Sequence, residues 1–120
     1  MSREKQYIPV QTEKATHLKV ELYYSKGGMN YFTGNTVRRG LYLSVSPVTL
    51  TKYEGGGSSE GYTAFTGTKQ LVKELNRFSD KAMNEAVAEF MAEGNEIREN
   101  LIKYVCNQND ITLKQPETVS

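Results

Sequence analysis

From His17 to Ser25 the chain alternates. Leu18, Val20, Leu22 and Tyr24 share one phase, and His17, Lys19, Glu21 and Tyr23 share the other. A period of two over nine residues is that of a strand with one buried face. Lys26-Gly27-Gly28 interrupts the pattern, Met29–Thr33 resumes it as a short second strand, and Gly34-Asn35 is a strong hairpin signal. Thr36–Tyr53 predicts a long third strand. A tight turn at Gly34-Asn35 sets Phe32 opposite Val37 and Tyr31 opposite Arg38. Val37 is in phase with Leu41, Leu43 and Val45, so Leu22, Phe32, Val37, Leu41 and Leu43 form the expected core face. Tyr23, Tyr31, Arg38 and Tyr42 then form the outer face. A three-residue loop at Lys26-Gly27-Gly28 keeps Leu22 beside Phe32, whereas a loop one residue shorter flips every side chain to the wrong face.

Downstream, the apolar positions 41, 43 and 45 give way to 48 and 50, a change of phase that predicts a bulge near Ser46-Pro47. EGGGSSEG, residues 54–61, is a flexible loop, and Tyr62–Thr66 is a fourth short strand. From Thr68 the period becomes helical. Leu71, Val72, Leu75, Phe78, Ala82, Met83, Ala86, Val87, Phe90 and Met91 lie on one broad stripe. Ser79-Asp80 is able to cap a new helix, and Gly94-Asn95 is a second interruption before Ile97, Leu101, Ile102 and Val105. The fold class expected is therefore α+β: a curved antiparallel sheet of about four strands in β-β-β-β-α order, packed on a long C-terminal helical segment. Residues 1–16, polar apart from Tyr7-Ile8-Pro9-Val10, form an N-terminal arm. Residues 17–106 form the single domain, and residues 107–120 a polar C-terminal tail.

Composition narrows the classes of function. The net charge is +1, so no global field draws the protein to nucleic acid or membrane. Locally, residues 17–68 hold five cations against three acids, and residues 80–99 six acids against two cations. The expected sheet is basic and the expected helix acidic, the latter read as a solvated helix face. One cysteine excludes an internal disulfide, and Arg3-Glu4-Lys5 leads into no apolar leader, which points to a reducing cytoplasm. No apolar run is long enough to span a bilayer. One histidine, one cysteine and no matched carboxylate pair leave little from which to build an active site, so no enzyme, cofactor or metal is expected.

The candidate chemistry is the outer sheet face. Lys19, Tyr23, Tyr31, Arg38 and Tyr42, with Lys26 in the adjoining turn, combine flat rings for base stacking with cations for phosphates. Single-stranded nucleic acid requires that combination. Tyrosine and threonine are also plain strand formers. The same rings and arginine suit a homodimer contact, the alternative reading, in which the chain is an oligomeric or protein-interaction domain. Thr66-Gly67-Thr68-Lys69, leading into the expected helix, is a weaker anion-binding candidate through free helix-start amides, and a capping sequence otherwise. His17, on the polar phase, and Cys106, beside Val105, have no sequence partners that suggest catalysis.

The element order and the polar, aromatic-bearing hairpins over residues 17–92 resemble the PUR-repeat and Whirly-type single-stranded nucleic-acid binders. That resemblance is topological. It implies a helix behind a four-stranded curved sheet and pairing into dimers, and it assigns no binding residue. The stretches from Lys26 to Gly34 and from Arg39 to Val45 also resemble a small bacterial α+β family with no established activity.

Overall fold

The computed structural model describes residues 3–12, 15–29, 34, 36–52, 55–62 and 67–113, without the side chains of Met29, Lys52, Ser58 and Tyr62. The strands are β1 (Arg3–Gln11), β2 (His17–Ser25), β3 (Gly28–Met29), β4 (Thr36–Val37), β5 (Gly40–Lys52), β6 (Ser58–Tyr62) and β7 (Thr68–Glu74). Helices α1 (Asp80–Phe90) and α2 (Glu96–Asn109) follow, then β8 (Thr112–Leu113). The fold is α+β as expected, but the antiparallel sheet has six strands in place of four. Its order is β6-β5-β2-β1-β8, with β7 also on β5, and β3 and β4 form a separate ribbon.

The centre of the sheet is the β2–β5 pair, which is not the pairing that the hairpin signals suggested. Leu22 lies opposite Leu43 and Tyr23 opposite Tyr42. The short ribbon pairs Gly28 with Val37 and Met29 with Thr36. Val37 therefore takes Gly28 and not Phe32 as its partner, and it is 38% exposed instead of lying in the core. Tyr31 and Phe32 are outside the described residues. A left-handed glycine in the turn after β2 is present: Gly27 has φ 72°, and a Cβ there would stand 2.5 Å from the Val37 carbonyl.

Two segments expected outside the domain belong to the sheet. Residues 3–9 of the expected arm pair along β2 from Arg3↔Tyr23 to Pro9↔His17, and β8, in the expected tail, pairs with Val10 and Gln11. α2 also runs past the expected end of the domain to Asn109, closed by Asp110 in the left-handed region at φ 53°.

The β2–β5 register runs unbroken from Ser25↔Gly40 to His17↔Val48, so the bulge expected at Ser46-Pro47 is not made. The phase change has another cause. Val48 and Leu50 lie on the outer face, and Val48 is buried there. The Val48 carbonyl accepts from the Thr16 amide at 3.0 Å, so Pro47, one residue earlier, turns its nitrogen to the opposite edge of β5. On that edge it falls between the stretches paired with β7 (residues 40–45) and β6 (residues 48–52), where no ladder donor is required. The irregularity lies instead in the β5–β7 pairing, between Leu41 and Tyr42, where Val72 is the extra residue.

The helical stripe expected from Thr68 also divides. Thr68–Glu74 is a strand, and helix begins only at Asp80, where Ser79 Oγ accepts from the Ala82 amide at 3.1 Å. The second interruption is a cap as well, with Asn95 Oδ1 accepting from the Arg98 amide at 3.0 Å. Both helices lie on one side of the sheet. Leu18, Val20, Leu22, Leu41, Leu43 and Val45, each fully buried, meet Met83, Ala86, Phe90, Leu101, Ile102 and Val105 in the core. Tyr24 tilts against Phe78 at 5.6 Å between centroids. Gln6 fastens the helices to β1: its Nε2 donates to the Met91 carbonyl at 2.8 Å, and its Oε1 accepts from the buried Arg98 at 3.3 Å. Among the described residues no helix is long and apolar enough to cross a membrane.

Candidate functional site

The face turned away from the helices is set by register. Residues directly opposite in antiparallel strands share a face, so side chains cross it in rows, three of which hold the candidate chemistry. Arg3, Tyr23, Tyr42 and Leu71 make the first, Lys5, Glu21, Ser44 and Lys69 the second, and Tyr7, Lys19 and Ser46 the third. Of the six residues expected to bind nucleic acid, Lys19, Tyr23 and Tyr42 lie on this face. Lys26 is exposed in the turn after β2, and Tyr31 is outside the described residues. Arg38 is exposed just before β5, and its Nη1 donates to Glu74 Oε1 at 3.0 Å. Arg39 is at the sheet margin, donating to the carbonyls of Lys26 and Asn76.

The first row is a stack. Tyr23 and Tyr42 rings lie 5.8 Å apart at 19°, with the Arg3 guanidinium 5.6 Å from the Tyr23 centroid and the Lys69 ammonium 5.7 Å from that of Tyr42. Tyr42 is only 8% exposed, and its hydroxyl donates to the Arg38 carbonyl at 2.6 Å. It backs Tyr23 and presents no open ring, contrary to the expectation that it stacks on bases. Tyr23 is half-buried and Tyr7 is 39% exposed, so among the described tyrosines of this face these two keep rings open to solvent.

The second row has a buried acid at its centre. Glu21 is 7% exposed, and its Oε2 lies 3.3 Å from Arg3 Nε without an aligned hydrogen bond. A buried carboxylate is costly unless cations offset it. Arg3 reaches it directly, and Lys5 and Ser44 are its neighbours across the ladder.

In the third row Lys19 is held. Its Nζ donates to Glu60 Oε1 at 2.6 Å, and the Tyr7 hydroxyl donates to Glu60 Oε2 at 2.7 Å. Burial opposes the Glu60 charge, but the hydrogen bonds from Lys19 and Tyr7 and the charges of Lys19 and Lys5 outweigh it and hold the carboxyl below its usual range. Loss of water, the bond to Glu60 and the charges of Glu60 and Glu21 push the Tyr7 phenol up to about 12. A phenol whose folded value is raised favours the folded state below the unfolded value of about 10. Stability is therefore expected to fall as pH rises from about 10 through about 12. Burial also raises the Tyr23 phenol, so a phenolate absorbance titration is expected to show a late-ionising component that shrinks by one tyrosine in Tyr7→Phe. A late component of unchanged size in the variant overturns the assignment.

The anion site expected at a helix start is not formed, because Thr68 and Lys69 belong to β7 and the nearest helix begins at Asp80. Thr66 is outside the described residues. Gly67, Thr68 and Lys69 instead edge an open depression of about 280 Å³ with Ser44, Val45 and Ser46. Lys69 thus joins the same basic face by a different route. A second hollow, of about 410 Å³, lies between α2 and β8 and is lined by Ile102, Cys106, Ile111 and Leu113 among others. Burial raises the Cys106 thiol, which disfavours the nucleophilic thiolate. His17 is half-buried, edge-on to Tyr7 at 6.4 Å, with Nδ1 2.8 Å from Thr16 Oγ1. Among the described residues no group of three or more His, Cys, Asp or Glu side chains is placed to hold a metal ion.

Sequence reasoning missed Arg3, Lys5 and Tyr7, which β1 brings to the face. Their spacing carried no hydrophobic signal, since Arg3, Glu4, Lys5 and Gln6 are polar on both faces of the strand. No family model, curated protein or solved structure matches this chain.

Proposed function

We propose that the chain is a small non-catalytic module that binds single-stranded DNA or RNA on the outer face of its sheet. The observation that carries this reading is the first row, where Tyr23 is backed by Tyr42 and flanked by cations, with Lys5 and Lys69 in the next row. Tyr23 and Tyr7 stack on bases, and Arg3, Lys5, Lys69 and Arg38 meet phosphates. Two rings and several cations suit a sequence-tolerant contact, because every base has a π-face and every nucleotide a phosphate.

Fluorescence anisotropy of a labelled mixed-sequence oligonucleotide against salt concentration tests this reading. Binding is expected to weaken as salt rises, with a log–log slope that shrinks by about 0.7 for each of Arg3, Lys5 and Lys69 changed to alanine. Absence of binding at low salt, or slopes unchanged by the three substitutions, rejects it. A concentration-dependent dimer that protects Tyr7 and Tyr23 from modification, in the absence of oligonucleotide binding, supports the homo-oligomer instead.

A further inference from the structure

Tyr7 and Lys19 are direct cross-strand partners in β1 and β2, so backbone pairing alone keeps their side chains together. Each gives one donor to one oxygen of the same carboxylate, at 2.7 and 2.6 Å. Two donors, one on each of two oxygens of a single anion, also match the two non-bridging oxygens of a phosphodiester. Lys5, two residues along β1, adds positive charge on the same face.

The carboxylate that fills this place arrives along the same face from β6, at the edge of the sheet. Glu60 pairs with Leu50 in the β5–β6 ladder, and its side chain extends past β5 to β2 and β1. β6 follows Gly55-Gly56-Gly57, a segment that restrains its neighbours weakly. The Lys19–Glu60 pair is partly open to solvent, with side chains 15% and 25% exposed. A pair of that kind contributes little net stability and is weakened by salt. The carboxylate is thus displaceable by a polyanion that makes several contacts at once.

We propose that Tyr7 and Lys19 form a phosphate seat and that Glu60 is its internal occupant, a carboxylate that a nucleic-acid phosphate displaces on binding. The identity of the ligand rests on the nucleic-acid reading above, whereas the seat itself does not. An internal competitor lowers apparent affinity by the fraction of molecules whose seat is empty.

The test compares wild type, Glu60→Gln, Glu4→Gln as an equal change of charge on the other side of β1, and the double variant Glu60→Gln/Lys19→Ala. The probes are labelled oligothymidylate and, separately, inorganic pyrophosphate. Glu60→Gln is expected to bind oligothymidylate about tenfold tighter than wild type, Glu4→Gln less than about twofold tighter, and the double variant no tighter than wild type. Equal effects of Glu60→Gln and Glu4→Gln overturn the seat while leaving the nucleic-acid reading in place. If no variant binds oligothymidylate, that reading fails. The seat then stands only if Glu60→Gln binds pyrophosphate in a Lys19-dependent way, and it falls otherwise. Should Glu60→Gln not fold, the carbon-13 shift of the Glu60 carboxylate in wild type decides: it moves on oligothymidylate addition if Glu60 is displaced, and a fixed shift overturns the proposal.

Discussion

Gly40→Ala is expected to destabilise the protein by about 3 kcal/mol, at the upper end of what overpacking costs. Gly40 opens β5, where three strands converge: Ser25 of β2 lies on one edge and Glu74 of β7 on the other. A Cβ there would stand 2.2 Å from the Lys73 carbonyl oxygen and 2.9 Å from Leu71 Cδ1. The first contact is with backbone, so no side chain is able to swing away from it. Relief requires β7 to move off β5 next to the Val72 bulge, and that movement uncovers the edge of the core at Leu41 and Leu43. Gly61→Ala is the matched control within a strand, since among the described residues its Cβ would meet only the Thr49 carbonyl, at 3.8 Å, an ordinary contact. Thermal denaturation followed by far-ultraviolet circular dichroism should show a large loss for Gly40→Ala and a change within about 0.5 kcal/mol for Gly61→Ala. Equal losses for the two would mean that β5 and β7 do not approach as described.

That junction also shows why part of the fold was legible in the sequence and part was not. Strand β2 was readable because one of its faces is buried and the other is polar, and Leu18, Val20 and Leu22 keep strict alternation. Strand β7 was not, because its bulge sets Leu71 toward Tyr42 on one face while Val72 packs against the core on the other. Two adjacent apolar residues followed by Leu75 mimic a helical stripe, and only long-range pairing with β5 decides against it. Strand β1 was hidden for the opposite reason. Arg3, Glu4 and Lys5 are polar on both faces, as suits a strand near the edge of a sheet, so no alternation of hydrophobicity marks them. The helix caps, by contrast, are local chemistry: Ser79 holds the amide that its position suggested, and Asn95, read only as part of an interruption, caps the second helix.

The candidate face was legible to the same degree and for the same reasons. Lys19, Tyr23 and Tyr42 follow from the parity of β2 and β5, which is correct even though their partner strands were not. Gly34-Asn35 looked decisive, yet Thr36 pairs with Met29, so the local turn signal yielded to the pairing of β2 with β5. Burial was the quantity that parity alone did not reveal. Tyr42 and Glu21 lie on the outer face and are nonetheless shut from water by their neighbours.

The difference in burial separates the two stacked tyrosines in a way that binding measurements read directly. Tyr23→Ala removes the reachable ring and the Arg3 cation–π contact, and a base stacked on an aromatic contributes about 1–3 kcal/mol. Oligonucleotide affinity is therefore expected to fall about 5- to 150-fold, and Tyr7→Ala to add a comparable loss because its ring lies in a different row. Tyr23→Phe keeps the ring and is expected to keep affinity within about threefold, since the surface a base uses is unchanged. Tyr42→Phe leaves the ring in place beneath Tyr23 but deletes the hydrogen bond to the Arg38 carbonyl. It should lower stability by about 1 kcal/mol with affinity held, the reverse of the Tyr23→Ala pattern. If Tyr42→Phe weakens binding as much as Tyr23→Ala while the melting temperatures agree, the hydroxyl of Tyr42 and not the open face of Tyr23 contacts the ligand. If Tyr23→Ala leaves affinity unchanged, the stack serves the fold alone and the proposed interface is wrong.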